Sequence, residues 1–419
     1  MSEPRILLIE DSPAMSALLM SHLQKSVSAE IVHCRSHSEA ESALQSQDFT
    51  VAITGMNLPD APNGEILNLL CSKNIPTVLF SASVIDDLVK NYASRRLVDY
   101  IVKDGVTSVE KVATCVVRVI NNRSTAILVV DDMKTSRSEL SSFLKGQNFL
   151  VFEASTGKEA LRILGGNPAI ELVVTDYFMP DMDGYELTQT IKTIYGSDRL
   201  RIIGVSASTD RRLSASFLKA GASDFIYRPF LPEELQCRIN NNVETLLQLK
   251  RLRYMAERDF LTSLYNRRLF FERAENFLAS GTKGAIAILD IDHFKSLNDT
   301  YGHETGDRVL KAVASLLAKG QSEGRYLAAR IGGEEFALLF MKTDRDGAIA
   351  IAQALLSDIQ GMALDHAKGP IRITASIGVV KLAPDEPLDN QLNAADQMLY
   401  LAKSRGRNRL CSDQPFDEA

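Results

Sequence analysis

Short apolar runs alternate with amphipathic helical stretches along the first part of the chain. An apolar run at 6–9 that ends in two acids returns at 127–130, where Asp131 and Asp132 follow it. Short β-branched runs between helical stretches are typical of a parallel sheet that is covered on both faces. The pattern therefore predicts two doubly wound α/β domains, in which ligands bind beyond the carboxyl ends of the strands.

A long helix is predicted after the second of these domains, over residues 233–258. Its apolar residues recur in steps of three and four and form one stripe. We expect the first half of the helix to pack on the second domain's own sheet, and the second half to carry a signal or to pair with a second copy. The residues of the stripe are Leu235, Ile239, Val243, Leu246, Leu249 and Leu252.

Two apolar segments, 326–329 and 337–340, flank two glycines and two glutamates at 332–335, which predicts a hairpin with an acidic turn. Adjacent carboxylates repel each other unless a cation compensates them, and glycines let a ligand approach the backbone. An ordinary turn with solvated acids is the alternative.

A second acidic segment, 290–292, follows the apolar run 285–289, and acids at a strand exit are well placed to hold a cation.

Four separate segments together resemble the GGDEF family of diguanylate cyclases, here with the variant turn GGEEF. The segments are residues 259–268, 290–307, 332–336 and 403–409. The resemblance implies an α+β ferredoxin-like domain, the palm of nucleotidyl cyclases, over residues 255–419. It also implies that two GTP molecules are condensed into cyclic di-GMP and two pyrophosphates. Because each site holds one GTP, the resemblance implies a homodimer.

The resemblance assigns roles to individual residues of this domain. Because the transition state gathers charge on phosphoryl oxygens, metal ions and cationic side chains carry most of the catalysis. Mg²⁺ or Mn²⁺ is held by Asp290, Glu334 and the carbonyl of Ile291. The implied catalytic residues are Glu334, Glu335, Asp290 and Lys295. Phe294 and Lys295 border the phosphates, Lys403 and Arg407 clamp the terminal ones, and Asn298 and Asp307 read the guanine edge.

Two features of the cyclase-like region qualify this assignment. Taken alone, Lys403 and Arg407 are four residues apart and also fit a solvated helix end. Many related cyclases carry an Arg-x-x-Asp product-binding motif before the double glycine, and those positions hold Glu323 and Tyr326 here. We therefore expect no tight product inhibition at that site.

The second α/β domain, over residues 125–245, resembles a response-regulator receiver domain. Three carboxylates at neighbouring strand ends, those of Asp131, Asp132 and Asp176, suit a Mg²⁺ ion that keeps several waters. The resemblance implies phosphorylation of Asp176 by a sensor histidine kinase or a phosphotransfer protein. It also makes Ser206 the residue that binds the phosphoryl group and Phe225 the switch aromatic. Arg228 replaces the family's lysine, which keeps the charge but changes its geometry.

The first α/β domain, over residues 1–122, departs further from the receiver pattern. Gly55 stands at the phosphoacceptor position, and glycine has no oxygen to phosphorylate. The other polar residues of the pattern are present: Glu10, Asp11, Ser81, Tyr100 and Lys103. We expect this domain to be a degenerate receiver that serves as an adaptor.

The composition limits the remaining function classes. A chain of 419 residues with 45% hydrophobic residues and a net charge of -6 is expected to be a soluble protein of about three domains with no nucleic-acid partner. The five cysteines are scattered, which favours reduced thiols that pack in the core over disulfides. No apolar run reaches the roughly 18 residues of a membrane helix, and no leader is evident, so we expect a cytoplasmic protein without membrane insertion.

Together these features predict a diguanylate cyclase response regulator with tandem receiver domains. The alternative is a catalytically silent scaffold that binds GTP or a cyclic dinucleotide.

Overall fold

The computed structural model describes residues 3–82, 97–196, 199–208, 210, 212–341, 343–367 and 369–413. The chain divides into two compact units, residues 1–249 and 250–419.

The first α/β domain is a parallel five-stranded sheet with the strand order β2-β1-β3-β4-β5. Its two apolar clusters lie on opposite faces of the sheet, because alternate strand residues such as Ile6 and Leu7 belong to different clusters. The strands are β1 Arg5–Ile9, β2 Glu30–Cys34, β3 Val51–Thr54, β4 Thr77–Ser81 and β5 Leu97–Val102. The helices are α1 Pro13–Ser26, α2 His37–Ser46, α3 Glu65–Ser72 and α4 Gly105–Asn122.

The second α/β domain repeats this topology with the order β7-β6-β8-β9-β10, again with all strands parallel. This is the flavodoxin-like order, so the prediction of two doubly wound domains is confirmed. The strands are β6 Ala126–Val130, β7 Leu150–Ala154, β8 Ile170–Asp176, β9 Arg201–Ser206 and β10 Asp224–Tyr227. The helices are α5 Lys134–Gly146, α6 Gly157–Gly166, α7 Gly184–Tyr195, α8 Arg212–Lys219 and α9 Pro232–Glu257.

Buried amide side chains join the two α/β domains. Gln147 and Gln236 of the second domain donate hydrogen bonds to the carbonyl of Val98, at 3.2 and 3.0 Å. Asn122, at the end of α4, donates to the carbonyl of Gln147 at 2.9 Å. Val98 lies on β5, an edge strand, and an uncovered edge carbonyl is open to pairing with other chains. The second domain therefore covers part of this edge.

The long helix α9 has two different halves. Leu235, Ile239, Val243 and Leu246 are buried, as expected for a helix that packs on its own sheet. Leu252 and Met255 are 59% and 66% exposed. The apolar stripe therefore changes from packed to exposed beyond Leu246.

The second unit is an α/β sandwich around a six-stranded sheet with the order β11-β13-β14-β12-β17-β18. The four central strands pair antiparallel with one another and follow the ferredoxin-like order, whereas β11 and β18 pair parallel at the two edges. The strands are β11 Tyr265–Asn266, β12 Gly284–Ile291, β13 Leu327–Gly332, β14 Glu335–Met341, β17 Ala375–Lys381 and β18 Leu410–Ser412, with a separate hairpin of β15 Ala363–Leu364 and β16 Ile371–Arg372. The helices are α10 Arg267–Ala279, α11 Phe294–Tyr301, α12 His303–Ser322, α13 Arg345–Gly361 and α14 Leu388–Ser404.

Both faces of this sheet are covered. Residues of α12 and α13 share one apolar cluster with Ala287 and Leu289 of β12, and residues of α10 and α14 share another with Ile286 and Ile288. Because β12 is covered on both faces, all of its residues are buried. The acidic residues at the carboxyl end of β12 therefore lie at the boundary between the buried core of the sheet and the protein surface.

Two compositional expectations can be compared with the structure. The five cysteines are free thiols, but Cys237 is exposed, so the expectation that all of them pack in the core is wrong for this residue. A helix long and apolar enough to cross a membrane is not found among the described residues.

Candidate functional sites

The glycine-rich turn joins β13 to β14 as the sequence predicts. Gly332 pairs with Glu335, which leaves Gly333 and Glu334 at the tip. Arg330 holds the turn from within, because its Nε and Nη2 atoms donate to the carbonyl of Gly333 at 3.0 and 2.8 Å. The side chain of Arg330 thus restrains the backbone at the tip of this hairpin.

The antiparallel register of β12 against β14 sets Asp290 directly opposite Glu335. Asp290 is 6% exposed. Its Oδ2 atom lies 2.9 Å from the Nζ atom of Lys403. Burial raises the pKa of Asp290, Lys403 counters that rise, and the charges of Glu334 and Glu335 add to it. The carboxylates of Asp290, Glu334 and Glu335 therefore form one electrostatically coupled group, and Lys403 balances only part of its negative charge.

A divalent cation fits this donor set. Asp290 and Glu334 offer hard carboxylate oxygens, which Mg²⁺ and Mn²⁺ prefer. Among the described residues no three His, Cys, Asp or Glu side chains are gathered as a preformed metal cage. Mg²⁺ usually retains waters and takes only one or two carboxylates, so two carboxylates and the carbonyl of Ile291 are compatible with it.

An unpaired buried acceptor lies between α11 and α12. The Oδ1 atom of Asn298 is buried and has no hydrogen-bond partner among the described residues. A Cβ atom at Gly306 would overlap this oxygen, so the glycine keeps the space open. Asp307, the other predicted guanine ligand, follows on α12 and is exposed. A buried acceptor without a partner costs free energy until a donor reaches it, and the N–H group of a ligand fits this position.

The start of α11 limits how Phe294 could border phosphates. Its side chain is 8% exposed and belongs to the apolar core, which leaves its backbone N–H for such a contact. His293 precedes the helix with a left-handed φ of 56° and makes no side-chain cap. The free N–H groups of the first turn, together with the exposed side chain of Lys295, are what this segment can offer to an anion.

Lys403 and Arg407 lie on either side of the end of α14. The ion pair between Lys403 and Asp290 contradicts a purely solvated helix end for the lysine. Arg407 is half-buried and lies beyond the helix with a left-handed φ of 60°. The structure thus places Lys403 in direct contact with the carboxylate of Asp290.

Sequence reasoning missed the contact between Arg330 and Asp259. The Nη1 atom of Arg330 lies 3.1 Å from Asp259 Oδ1, and both side chains are mostly buried. Arg330 and Thr262 lower the pKa of Asp259 against the effect of its burial. Asp259 stands in a segment that carried the family resemblance and Arg330 lies two residues before another, yet no local pattern pairs residues so far apart in the chain. The pair connects the segment after α9 to the glycine-rich turn.

The acidic site of the second α/β domain forms at the carboxyl ends of β6 and β8. Asp131 is almost fully buried, and its Oδ2 atom accepts a hydrogen bond from Arg228 Nη2 at 2.9 Å. Burial and the charge of Asp131 raise the pKa of Asp176 to about 6, and Asp132 adds to that rise while Arg228 opposes it. Asp176 therefore lies in an anionic site that favours a divalent cation or a proton.

The predicted switch residues lie on β9 and β10 of the same domain. Ser206 is fully buried, and its carbonyl accepts the backbone N–H of Arg228 at 2.8 Å. Phe225 is 6% exposed and packs between the rings of Phe217 and Tyr227, with centroid distances of 5.6 and 4.9 Å. The aromatic residue is thus in an inward position.

The equivalent site of the first α/β domain has a similar ion pair but no acceptor. Lys103 Nζ lies 2.8 Å from the buried carboxylate of Glu10. A Cβ atom at Gly55 would find its nearest neighbours at 3.8 Å, so the space for a side chain exists. Asp11, Ser81 and Tyr100 accompany these residues in the sequence. The missing carboxylate is therefore a loss of chemistry and not a steric requirement.

Comparisons with known proteins match the two segments of the chain that contain the candidate sites. Residues 256–409 match the family model "Diguanylate cyclase, GGDEF domain", and residues 127–240 match "Response regulator receiver domain". A crystal structure of a protein assigned to the two-component response regulator/GGDEF class is 37% identical, with a TM-score of 0.54, and covers 58% of this chain and 99% of its own.

Two curated relatives are similar over parts of the chain. The response regulator PleD of Caulobacter vibrioides is 29% identical over 296 residues, which is 67% of this chain and 64% of PleD. The diguanylate cyclase VdcA of Vibrio cholerae is 38% identical over 166 residues, which is 39% of this chain and 49% of VdcA. The chain thus spans less than two thirds of the length of these relatives. The chain combines a response regulator receiver domain with a domain of the GGDEF family.

Proposed function

We propose that the chain is a diguanylate cyclase that condenses two GTP molecules into cyclic di-GMP and two pyrophosphates. The register of β12 against β14 carries the proposal, because it places Asp290 beside the Glu334 and Glu335 turn. Lys403 adds a cation at the same place. Clustered carboxylates at an open sheet edge, next to cationic side chains, suit a metal-bound triphosphate.

In this proposal the side chains bind the metal and the phosphates and move one proton. Asp290, Glu334 and the carbonyl of Ile291 would hold Mg²⁺ or Mn²⁺, which supplies charge stabilisation at the phosphoryl oxygens when bound. Glu334 also accepts the proton of the attacking 3′-hydroxyl. Glu335 has a supporting role, because its negative charge raises the pKa of Asp290. Three further side chains neutralise the phosphates: those of Lys295, Lys403 and Arg407.

The selection of guanine follows from the orphaned acceptor. Asn298 Oδ1 and the carboxylate of Asp307 match the N–H donors on the guanine edge. Adenine has an amino donor at C6 and an acceptor at N1, so it lacks the pair of neighbouring donors that both side chains would need, which costs discrimination energy. The open space above Gly306 is part of this pocket.

Phosphorylation of Asp176 is the proposed input, with a sensor histidine kinase or a phosphotransfer protein as donor in the cytoplasm. In this proposal Arg228 and Ser206 contact the phosphoryl group, and Phe225 responds to it. The first domain is an adaptor, because Gly55 cannot accept a phosphoryl group. Since each site holds one GTP, two copies must meet, and the exposed stripe of α9 at Leu252 and Met255 is the proposed pairing surface.

Removal of either proposed metal ligand tests the enzyme assignment. We expect Asp290→Ala and Glu334→Ala each to lower turnover of GTP to cyclic di-GMP by far more than tenfold, because the loss of metal-centred charge raises the barrier by several kcal/mol. Asp385→Asn, an exposed charge change in the same unit, should retain activity. Purified full-length protein would be assayed with GTP and Mg²⁺. If the wild type binds GTP without turnover, it is a silent scaffold; if a ligand variant stays within tenfold of the wild type, the site is elsewhere.

Labelling by a small-molecule phosphodonor tests the input. We expect the label at Asp176 and none in residues 1–122, because Gly55 offers no oxygen. Peptide mapping after trapping of the acyl phosphate would locate it. Label on the first domain, or on Asp176→Asn protein, would contradict the proposal.

The raised pKa of Asp176 also predicts a pH-dependent stability. The folded protein holds this proton more tightly than the unfolded chain, so its contribution favours folding near pH 4 and is lost as the pH rises through about 6. Without divalent cations, Asp176→Asn should therefore raise the free energy of unfolding of the second domain at pH 7.5 by on the order of 1 kcal/mol, allowing for solvent screening. Urea titrations monitored by hydrogen exchange, at pH 4 and at pH 7.5, would measure this free energy of unfolding. A gain of equal size at pH 4 would show that charge is not the cause.

Product inhibition should be weak, because Glu323 and Tyr326 stand at the positions of the usual product-binding arginine and aspartate. Tyr326 is 4% exposed and packs on Phe340, with Gly320 leaving room for its hydroxyl. The nearby Arg325 is paired with Glu323 at 2.6 Å. We expect turnover to continue linearly as cyclic di-GMP accumulates. Titration of cyclic di-GMP at several GTP concentrations, with calorimetry in parallel, would measure this. Submicromolar inhibition that persists at saturating GTP would show an inhibitory site built from other residues.

A further inference from the structure

Asp292 is a buried carboxylate that the proposed mechanism does not use. It follows β12 and is 6% exposed. Its Oδ1 atom accepts the hydroxyl of Ser376 at 2.7 Å, and its Oδ2 atom accepts the hydroxyl of Thr374 at 2.7 Å and the backbone N–H of Asn408 at 3.0 Å. Three donors occupy most of the acceptor capacity of a carboxylate. Asp292 is therefore committed to protein contacts.

The donor at Asn408 belongs to an unusual backbone segment after α14. Gly406, Arg407 and Asn408 have φ values of 110°, 60° and 48°, so three consecutive residues are left-handed. Side chains other than glycine rarely adopt this region, and they remain in it only where surrounding contacts hold them. Three contacts are local: Arg407 N–H donates to the carbonyl of Ala402 at 3.1 Å, Gly406 N–H to that of Lys403 at 3.3 Å, and Arg409 Nε to that of Arg407 at 3.0 Å. The bond from Asn408 to Asp292 is long-range.

The end of β12 thus contacts both the last turn of α14 and the segment that follows it. Asp290 holds Lys403 at 2.9 Å, and Asp292, two residues further on, holds the amide of Asn408. Arg407 lies between Lys403 and Asn408 in the chain. Its backbone direction is therefore set by the strand that carries the proposed metal ligand.

We infer that Asp292 is a positioning residue that holds the Asn408 amide and so directs Arg407 toward the terminal phosphates of bound GTP. The inference rests on the proposed function for the role of Arg407. A carboxylate suits this task because charge-assisted hydrogen bonds to backbone N–H groups are stronger than neutral ones. An asparagine there would turn an N–H₂ group toward at least one of the donors.

The test compares phosphate recognition in the full chain. Binding of GDP, GMP and a non-hydrolysable GTP analogue would be measured calorimetrically with Mg²⁺. Asp292→Asn should reduce the preference for the triphosphate over the monophosphate by about tenfold, because Arg407 loses its direction, and GMP affinity should change little. The exposed Asp385→Asn variant controls for the charge change and should keep the wild-type preference.

A double-mutant cycle separates positioning from general destabilisation. Arg407→Ala should reduce the preference by a similar factor, and Asp292→Asn combined with Arg407→Ala should reduce it no further. A merely structural role would lower GMP affinity as well and would add to the Arg407→Ala effect. Either of those results would overturn the inference.

Hydrogen exchange tests the anchor without any nucleotide. Amide exchange of residues 405–409 should be faster in Asp292→Asn than in the wild type, with β12 unchanged. If Asp292→Asn does not fold, Thr374→Val replaces it: this variant removes the other donor to Oδ2 and should cause a smaller change in both measurements. Unchanged exchange in the segment would refute the anchor itself, whatever the nucleotide results. If the wild-type protein binds no GTP, the proposed function fails and the role of Arg407 fails with it, although the exchange result still decides the anchor.

Discussion

A buried carboxylate at the end of a central strand, neutralised by one long cationic side chain from a later element, occurs in all three domains. The pairs are Glu10 with Lys103 at 2.8 Å, Asp131 with Arg228 at 2.9 Å and Asp290 with Lys403 at 2.9 Å. Each carboxylate is at least nine-tenths buried, and such a charge is costly unless it is paired. The sites depend on this pairing, because it keeps charged acceptors at the sheet edge.

What differs among the domains is the charge that remains after this pairing. In the second α/β domain Asp176 and Asp132 add negative charge that Arg228 cannot balance, and the pKa of Asp176 rises. In the cyclase domain Glu334 and Glu335 have the same effect on Asp290. The first domain has Gly55 where the extra carboxylate would stand. Two domains thus retain uncompensated negative charge for a metal ion, and the first domain lacks the phosphoacceptor.

Charged residues that lie close together at the end of a strand also make different kinds of contact. At the end of β12, Asp290 pairs with Lys403, whereas Asp292 just beyond the strand accepts hydrogen bonds from Ser376, Thr374 and Asn408. Arg330 similarly connects the carbonyl of Gly333 to Asp259. In both cases a charged side chain next to the candidate site is committed to contacts within the protein.

The sequence by itself determined the parts of the structure that local patterns encode. Strand and helix alternation indicated the doubly wound domains, the double glycine indicated the hairpin, and the absence of a carboxylate at Gly55 could be seen directly. Tertiary structure decided what depends on distant residues meeting. The core position of Phe294, the change in α9 beyond Leu246, and the contacts of Arg330 and Asp292 follow from packing and register, because residues many positions apart become neighbours only once the sheet has formed.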